Sequence, residues 1–243
     1  MRIALVSDIH GNLFALEAVA ADIRRRGADA VYALGDLLSG PLAARDTAHW
    51  LMASGWPCLA GNHERQLLSA DPAVREASDR SALAELDAVS LAWLSTLPPT
   101  LRPFPDILLC HGTPLSDCDY LLETVDGGGI RLAHGDEITV RLAGETASLV
   151  ACGHSHLPRA LEEAGVTLVN PGSVGLPAYA DTTPMYHRVE NGSPDARYAL
   201  IERLDGRWHV DLVSVPYDWR PMAALAARNG RAEWARALES GRV

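Results

Sequence analysis

Five of the nine histidines in this 243-residue chain stand just past short apolar runs, in company that suits a metal ion. Asp8 and His10 follow the run Arg2–Ser7, and Asp36 follows one ending at Leu34. Asn62 and His63 follow Trp56–Ala60, His111 follows Cys110, and His154 and His156 follow Cys152. Carboxylate, amide oxygen and imidazole together suit a borderline divalent cation such as Mn²⁺, Fe²⁺, Ni²⁺ or Zn²⁺ better than Ca²⁺. In Asp8-Ile9-His10 and His154-Ser155-His156 the ligands stand at i and i+2, so at a strand end each pair can converge on one ion. Glycines before Asp36, Asn62 and His154 let backbone pass close to such a centre. Taken singly, Asp8 could cap a helix and Asn62 could serve a turn. His49, His134, His187 and His209 read as ordinary structural histidines. The gathering of the whole set at five strand ends is what points to a metal centre.

The elements that must position these residues follow from the pattern. Residues 2–7, 29–34 and 56–60 read as strands, and residues 13–26 and 43–54 as helices, the first capped by Asn12. This alternation predicts an α/β fold with a largely parallel sheet, whose ligands collect outside the carboxyl ends of its strands. A helix is predicted over 72–97, with Leu83, Leu86, Val89 and Leu94 on one face, ended by Pro98-Pro99. Residues 106–110 and 147–152 read as further strands. The stretches 113–130 and 175–195 read as long loops that border the site, since His111 and Ser173 lead into them. Asp205-Gly206 between 197–204 and 207–215 signals a hairpin, and the tail from Asp218 reads as helical. No linker or repeat interrupts the chain, so one domain over 1–243 is expected.

Composition narrows the chemistry. Hydrophobic residues make up 48% and charged residues 21%, which is ordinary globular material. All 21 basic residues are Arg, so lysine-dependent chemistry, from a Walker A loop to a Schiff base, is excluded. A net charge of −10 argues against non-specific nucleic-acid binding. An anionic substrate stays open if metal cations supply the positive charge. No apolar run approaches the roughly 18 residues of a membrane span. Four scattered cysteines without a CxxC, and no secretory start, predict reduced thiols in the cytoplasm. His63-Glu64 opens like an HExxH helix, but Leu67 ends that reading. Gly153-His154-Ser155 is not a nucleophile elbow, and Gly127–Gly129 lacks dinucleotide spacing.

The segments Asp8-Ile9-His10-Gly11-Asn12, Gly35-Asp36, Gly61-Asn62-His63-Glu64, His111-Gly112-Thr113-Pro114, Gly153-His154-Ser155-His156 and Asn170-Pro171-Gly172-Ser173 resemble, in order, the motifs of the calcineurin-like metallophosphoesterases. The resemblance implies two mixed β-sheets packed as a sandwich and flanked by helices, in place of the open sheet that alternation predicts. It implies that Asp8, His10 and His156 hold one metal, that Asn62, His111 and His154 hold a second, and that Asp36 bridges them. His63 would stand beside the metals as general acid, with Glu64 as its orienting partner. A hydroxide between two cations is nucleophilic near neutral pH, and the pair can clamp a phosphoryl group.

The phosphoprotein phosphatase branch carries an Arg after its Gly-Asp and another before its Gly-Asn-His-Glu. Here Leu37-Leu38-Ser39-Gly40-Pro41 follows Asp36 and Ala60 precedes Gly61, with no Arg in either place, which disfavours that branch and favours the small bacterial phosphodiesterase type. Arg131, Arg159 and Arg188 are candidate anion contacts, each read first as a solvated surface residue. The expected function is metal-dependent hydrolysis of small phosphate esters, diesters first. The alternatives are phosphomonoester or nucleotide-polyphosphate hydrolysis, and a non-catalytic scaffold, which the presence of His63 disfavours. Oligomeric state carries no sequence signal.

Overall fold

The computed structural model describes residues 1–243. The apolar runs lack polar alternation because both their faces are covered. In β1 (Arg2–Val6), Ile3 and Leu5 face a second sheet, while Ala4 and Val6 face helices. The first sheet has the order β13 (Arg207–Val215), β12 (Ala196–Leu204), β1, β2 (Ala30–Ala33). Its β1–β2 pair is parallel and the others antiparallel. The second sheet has the order β3 (Thr100–Phe104), β4 (Ile107–Cys110), β7 (Leu149–Ala151), β9 (Val166–Asn170), β8 (Arg159–Glu163). Its three central strands are parallel and its two edges antiparallel.

The sheets pack face to face. Ile3, Leu5, Ala199 and Ile201 meet Ile107, Leu109, Leu149 and Val169 in one buried cluster. Full burial of each such Ile or Leu contributes about 1.5–3 kcal/mol. Outside the first sheet lie α1 (Leu13–Arg26) and α2 (Ala44–Ser54), which bury Leu16, Val19, Ile23, Ala48 and Leu51. Outside the second lies α6 (Gly135–Leu142), which buries Ile138 and Leu142 against Leu108 and Val150. The architecture is therefore the helix-flanked sandwich of two mixed sheets. No helix is long and apolar enough to cross a membrane.

Several sequence expectations are corrected. Trp56–Ala60 is not a strand; only Ala33 and Cys58 form a parallel bridge there. The helix expected over 72–97 is three pieces: a short 3₁₀ turn at Pro72–Val74, α4 (Ala77–Glu85) and α5 (Ala88–Leu94). The break falls at Leu86-Asp87, where the Asp87 carboxylate accepts the Ser90 N–H at 2.8 Å and starts a new helix. Val89 is consequently exposed, not on a common buried face. α3 (Asn62–Leu68) follows the bridge directly. The two expected loops each contain a hairpin, β5 (Glu123–Asp126) with β6 (Gly129–Leu132), and β10 (Ala178–Asp181) with β11 (His187–Glu190). The tail forms α7 (Arg220–Arg228) and α8 (Ala232–Ser240), turned at Gly230.

Candidate metal centre

The carboxyl ends of β1, β2, β4 and β7 point to one edge of the sandwich, and the chain turns sharply as it leaves three of them. Asp8, His10, Asp36, His154 and His156 all have positive φ, between 52° and 65°. Each such residue costs about 1–2 kcal/mol, tolerable for Asp and His only where the surroundings enforce it. Gly153 lets this crowding occur, because a Cβ there would overlap Ser7 Oγ and lie 2.8 Å from Asp8 Oδ2.

The turns gather two groups of side chains. Ligand atoms of Asp8, His10 and His156 all lie within 4.8 Å of one another, as do those of Asp36, His111 and His154. Asn62 joins the second group, its Oδ1 3.2 Å from His111 Nε2. The i, i+2 spacing thus sends Asp8 and His10 to one group but divides His154 from His156. The strand-end geometry does not apply, since β1 ends at Val6 and β7 at Ala151.

The hydrogen bonds prepare these groups for a cation. His10 Nδ1–H donates to the Ser39 carbonyl, His156 Nδ1–H to that of Leu176 and His111 Nδ1–H to that of Leu34, each at 2.7 Å. Such second contacts hold each ring by Nδ1 and turn its Nε2 toward the site. His154 is turned the other way, with Nε2 on the Cys118 carbonyl at 2.9 Å and Nδ1 toward the site. His10 Nε2 faces His156 Nε2 at 3.2 Å, and Asp8 Oδ1, enclosed and without a hydrogen-bond donor, lies 3.3 Å from the same His156 nitrogen. An enclosed carboxylate oxygen without a donor, beside two imidazole Nε2 atoms in mutual contact, is an arrangement that a shared cation satisfies. Burial and the neighbouring His156 push the His10 pKa down to about 3. Burial and His111 push His154 down to about 4. Both imidazoles are therefore neutral and ligand-competent at physiological pH. At His111, burial is outweighed by the Asp36 carboxylate, which lifts the pKa to about 9. A cation entering there must displace that proton.

His63 stands at the rim, its ring 5.6 Å from that of His10. Its partner is Asp79, not Glu64: His63 Nδ1–H donates to Asp79 Oδ1 at 2.8 Å. Asp79 is fully buried on α4 and also accepts from Ser39 Oγ at 2.7 Å and from the Glu76 N–H at 2.8 Å. Burial alone would lower the His63 pKa, but Asp36 and Asp79 outweigh it and lift it to about 10. Glu64 is a backbone clamp. Its carboxylate accepts the N–H groups of Asp36, Leu37 and Gly61 at 2.8–2.9 Å, tying the Asp36 turn to the start of α3. The Glu64 carboxylate thus turns to β2's exit, away from His63.

The two groups open into a cavity of about 420 Å³ lined by His10, Asp36, Asn62, His63, His154 and His156. Its walls include Tyr120, Tyr179, Ser78, Arg231, Trp234 and Arg236, none of which has a local sequence signal. Tyr120 comes from the stretch before β5 and Tyr179 from β10, so both supposed loops do reach the cavity. The arginines singled out from the sequence do not. Arg131 pairs with Asp126 and Glu137, Arg159 with buried Glu123, and Arg188 lies over Tyr186.

The same architecture recurs in other chains. A metallophosphoesterase from Sphaerobacter thermophilus superposes with a TM-score of 0.77 at 24% identity, covering 99% of each chain. A hypothetical protein from Pyrococcus horikoshii superposes with a TM-score of 0.75 at 17% identity, covering 99% of this chain and 98% of that one. An uncharacterised protein of Methanocaldococcus jannaschii is 24% identical over 258 residues, which is 96% of this chain and 94% of its own. At these identities the structural likeness is one of fold. Family membership rests on residues 1–192, which match the calcineurin-like phosphoesterase superfamily domain. That stretch carries every side chain of both ligand groups, and the protein belongs to that superfamily.

Proposed function

We propose that the protein hydrolyses small phosphate esters with two divalent cations, and that phosphodiesters are its preferred substrates. The observation that supports this most is the pair of adjacent ligand groups, Asp8, His10 and His156 beside Asp36, His111 and His154, next to a histidine held by the buried Asp79 carboxylate. Asp8, His10 and His156 would hold one cation, and Asn62, His111 and His154 the other, with Asp36 serving both. The cations, when bound, supply Lewis acidity: they lower the pKa of an attacking water and stabilise charge on the phosphoryl oxygens. His63 donates its Nε2 proton to the leaving oxygen. Asp79 holds the ring by Nδ1, so that Nε2 faces the cavity. Glu64 keeps the Asp36 turn in place. Neither residues 37–41 nor Ala60 puts a guanidinium where a dianionic monoester would be forked, which favours the monoanionic diester. Four unbridged thiols, three of them buried, support a reducing cytoplasmic location.

The test pairs elemental analysis of protein purified without chelator with turnover of bis(p-nitrophenyl) phosphate and p-nitrophenyl phosphate. About two cations per chain are expected, with diester turnover that chelation abolishes and Mn²⁺ restores. Full turnover in metal-stripped protein would defeat the two-cation reading, and faster monoester turnover would defeat the diester preference.

A further inference from the structure

The superfamily match ends at residue 192, yet one wall of the cavity is built from residues beyond it. The α7–α8 pair packs onto β10 and the Leu42 turn through Met222, Ala226, Trp234 and Leu238. Trp234 reaches the metal centre itself, its ring edge-on to that of His10 at 5.8 Å and 79°. This seating brings Arg231 and Arg236 into the cavity lining.

Arg231 is held in place on three sides. Its Nε pairs with Glu233 at 2.5 Å, its Nη2 donates to Ser78 Oγ at 3.2 Å, and its guanidinium lies 5.7 Å over the Trp234 ring. Its Nη1 is enclosed with no acceptor at all. Glu233 is 58% exposed, so the one charge that balances Arg231 sits where solvent or a stronger anion can displace it. Arg236 lies on the same helix, exposed and without a carboxylate partner. A guanidinium matches a phosphate better than an ammonium does, because its planar fork can donate twice. The cavity, at about 420 Å³, falls within the range of small-ligand sites and exceeds what one phosphoryl group needs.

We propose that Arg231 and Arg236 form an anion subsite for a second, non-scissile phosphate, making the preferred substrate a phosphoester that carries a further phosphate group. The inference rests on the phosphoesterase reading and names the substrate class of that site. The scissile phosphate lies at the cations, the second phosphate at the C-terminal helix pair, and the organic body between them. Glu233 holds the Arg231 fork ready and gives way to the incoming dianion.

Thymidine 5′-(p-nitrophenyl phosphate), with and without a 3′-phosphate, isolates the effect, because the two esters share a leaving group. The ratio of their kcat/KM values cancels losses common to both. Wild-type protein is expected to favour the 3′-phosphorylated ester by about tenfold or more, as one charge-assisted contact supplies. The double variant R231Q/R236Q should bring the ratio to within about twofold of unity, with exposed R236Q alone lying between. Glu233→Gln should raise the ratio. Equal rates in wild type, or a preference that survives in the double variant, would overturn the subsite. A calorimetric comparison of thymidine 3′,5′-bisphosphate with thymidine 5′-phosphate decides it independently of turnover. If the Mn²⁺-supplemented wild type turns over neither ester, the phosphoesterase reading falls. Tighter binding of the bisphosphate, lost in R231Q/R236Q, would still establish the subsite, and equal binding would remove it.

Discussion

Replacing Asp79 by Asn tests whether a fully buried carboxylate acts through His63. The substitution keeps shape and removes charge. A hydrogen bond to a charged group contributes about 1.5–3 kcal/mol, against about 1 kcal/mol for a neutral one. Weakening the 2.8 Å contact to His63 Nδ1 by that difference, about 0.5–2 kcal/mol, predicts a fall in kcat of about 2–30-fold, with KM little changed. Removing the ring altogether, in His63→Ala, should cost about 10²–10⁴-fold, the usual share of a general acid. If Asp79 acts through His63, the double variant is no slower than His63→Ala, since the carboxylate then has nothing to orient. Asp79 also accepts the Glu76 N–H and the Ser39 hydroxyl, so a stability loss of about 1–3 kcal/mol accompanies the change. Melting temperature and metal content therefore have to be measured beside steady-state kinetics on bis(p-nitrophenyl) phosphate. Unchanged kcat in a folded, metal-replete Asp79→Asn protein would refute the dyad. A double variant about tenfold slower than His63→Ala would show that Asp79 works by another route.

Gly153→Ala pushes a methyl group onto Ser7 Oγ and Asp8 Oδ2, so it should destabilise the fold by about 1–3 kcal/mol and lower cation content, read by thermal melting and elemental analysis. An unchanged melt with full metal would mean that the crowding at Asp8 is soft. Asp22 is nearly enclosed, and although burial works to raise its pKa, the Tyr198 hydroxyl at 2.7 Å and Arg26 at 2.8 Å hold it below the ordinary value. A depressed folded-state pKa adds stability above the unfolded value, near pH 4, and that stability is lost as pH falls through the folded value. Asp22→Asn should therefore be less stable than wild type at neutral pH, with the gap in urea midpoint closing in acid. A gap that stays constant from pH 7 to about pH 2 would assign the loss to packing instead.

What the sequence shows plainly are features with a local physical cause. Asn12 caps α1 by accepting the Ala15 N–H at 3.1 Å. Asp205-Gly206 turns β12 into β13 with φ values of 49° and 80°, the two left-handed residues that a tight hairpin needs. Polar residues after apolar runs mark the ligand positions because strands end where the sandwich ends. The second sheet is invisible to an alternation argument, since buried strands of either sheet read as the same apolar run. The role of Glu64 escapes for a related reason. Its neighbour in sequence is His63, but its carboxylate turns back to three backbone N–H groups that only the folded Asp36 turn brings together. Asp79 reads locally as an acidic residue in the first turn of α4, which it also is. Its contact with His63, 16 residues away, depends on how α4 packs on the α3 end, and no spacing encodes it.

The left-handed turns explain why the ligand spacing misleads while the ligand types do not. Asp and His are among the few residues with a β-carbon that enter the αL region at moderate cost. At positions 8, 10, 36, 154 and 156 the residue types that donate to a cation are thus also those that let the chain reverse within five residues of a strand end. Between His154 and His156 that reversal carries one imidazole to each ligand group, where an extended chain would have pointed both the same way. Five such turns at about 1–2 kcal/mol each add up to most of a typical domain's net stability. They persist because the enclosing contacts leave no alternative: Glu64 clamps the Asp36 turn, the Ser173 hydroxyl donates to the Asp8 carbonyl at 2.7 Å, and Asn170 Nδ2–H donates to the Gly153 carbonyl at 2.7 Å. The Asn170-Pro171-Gly172-Ser173 segment is therefore scaffolding for the Asp8 and His154 turns, and it holds them without contributing a ligand of its own.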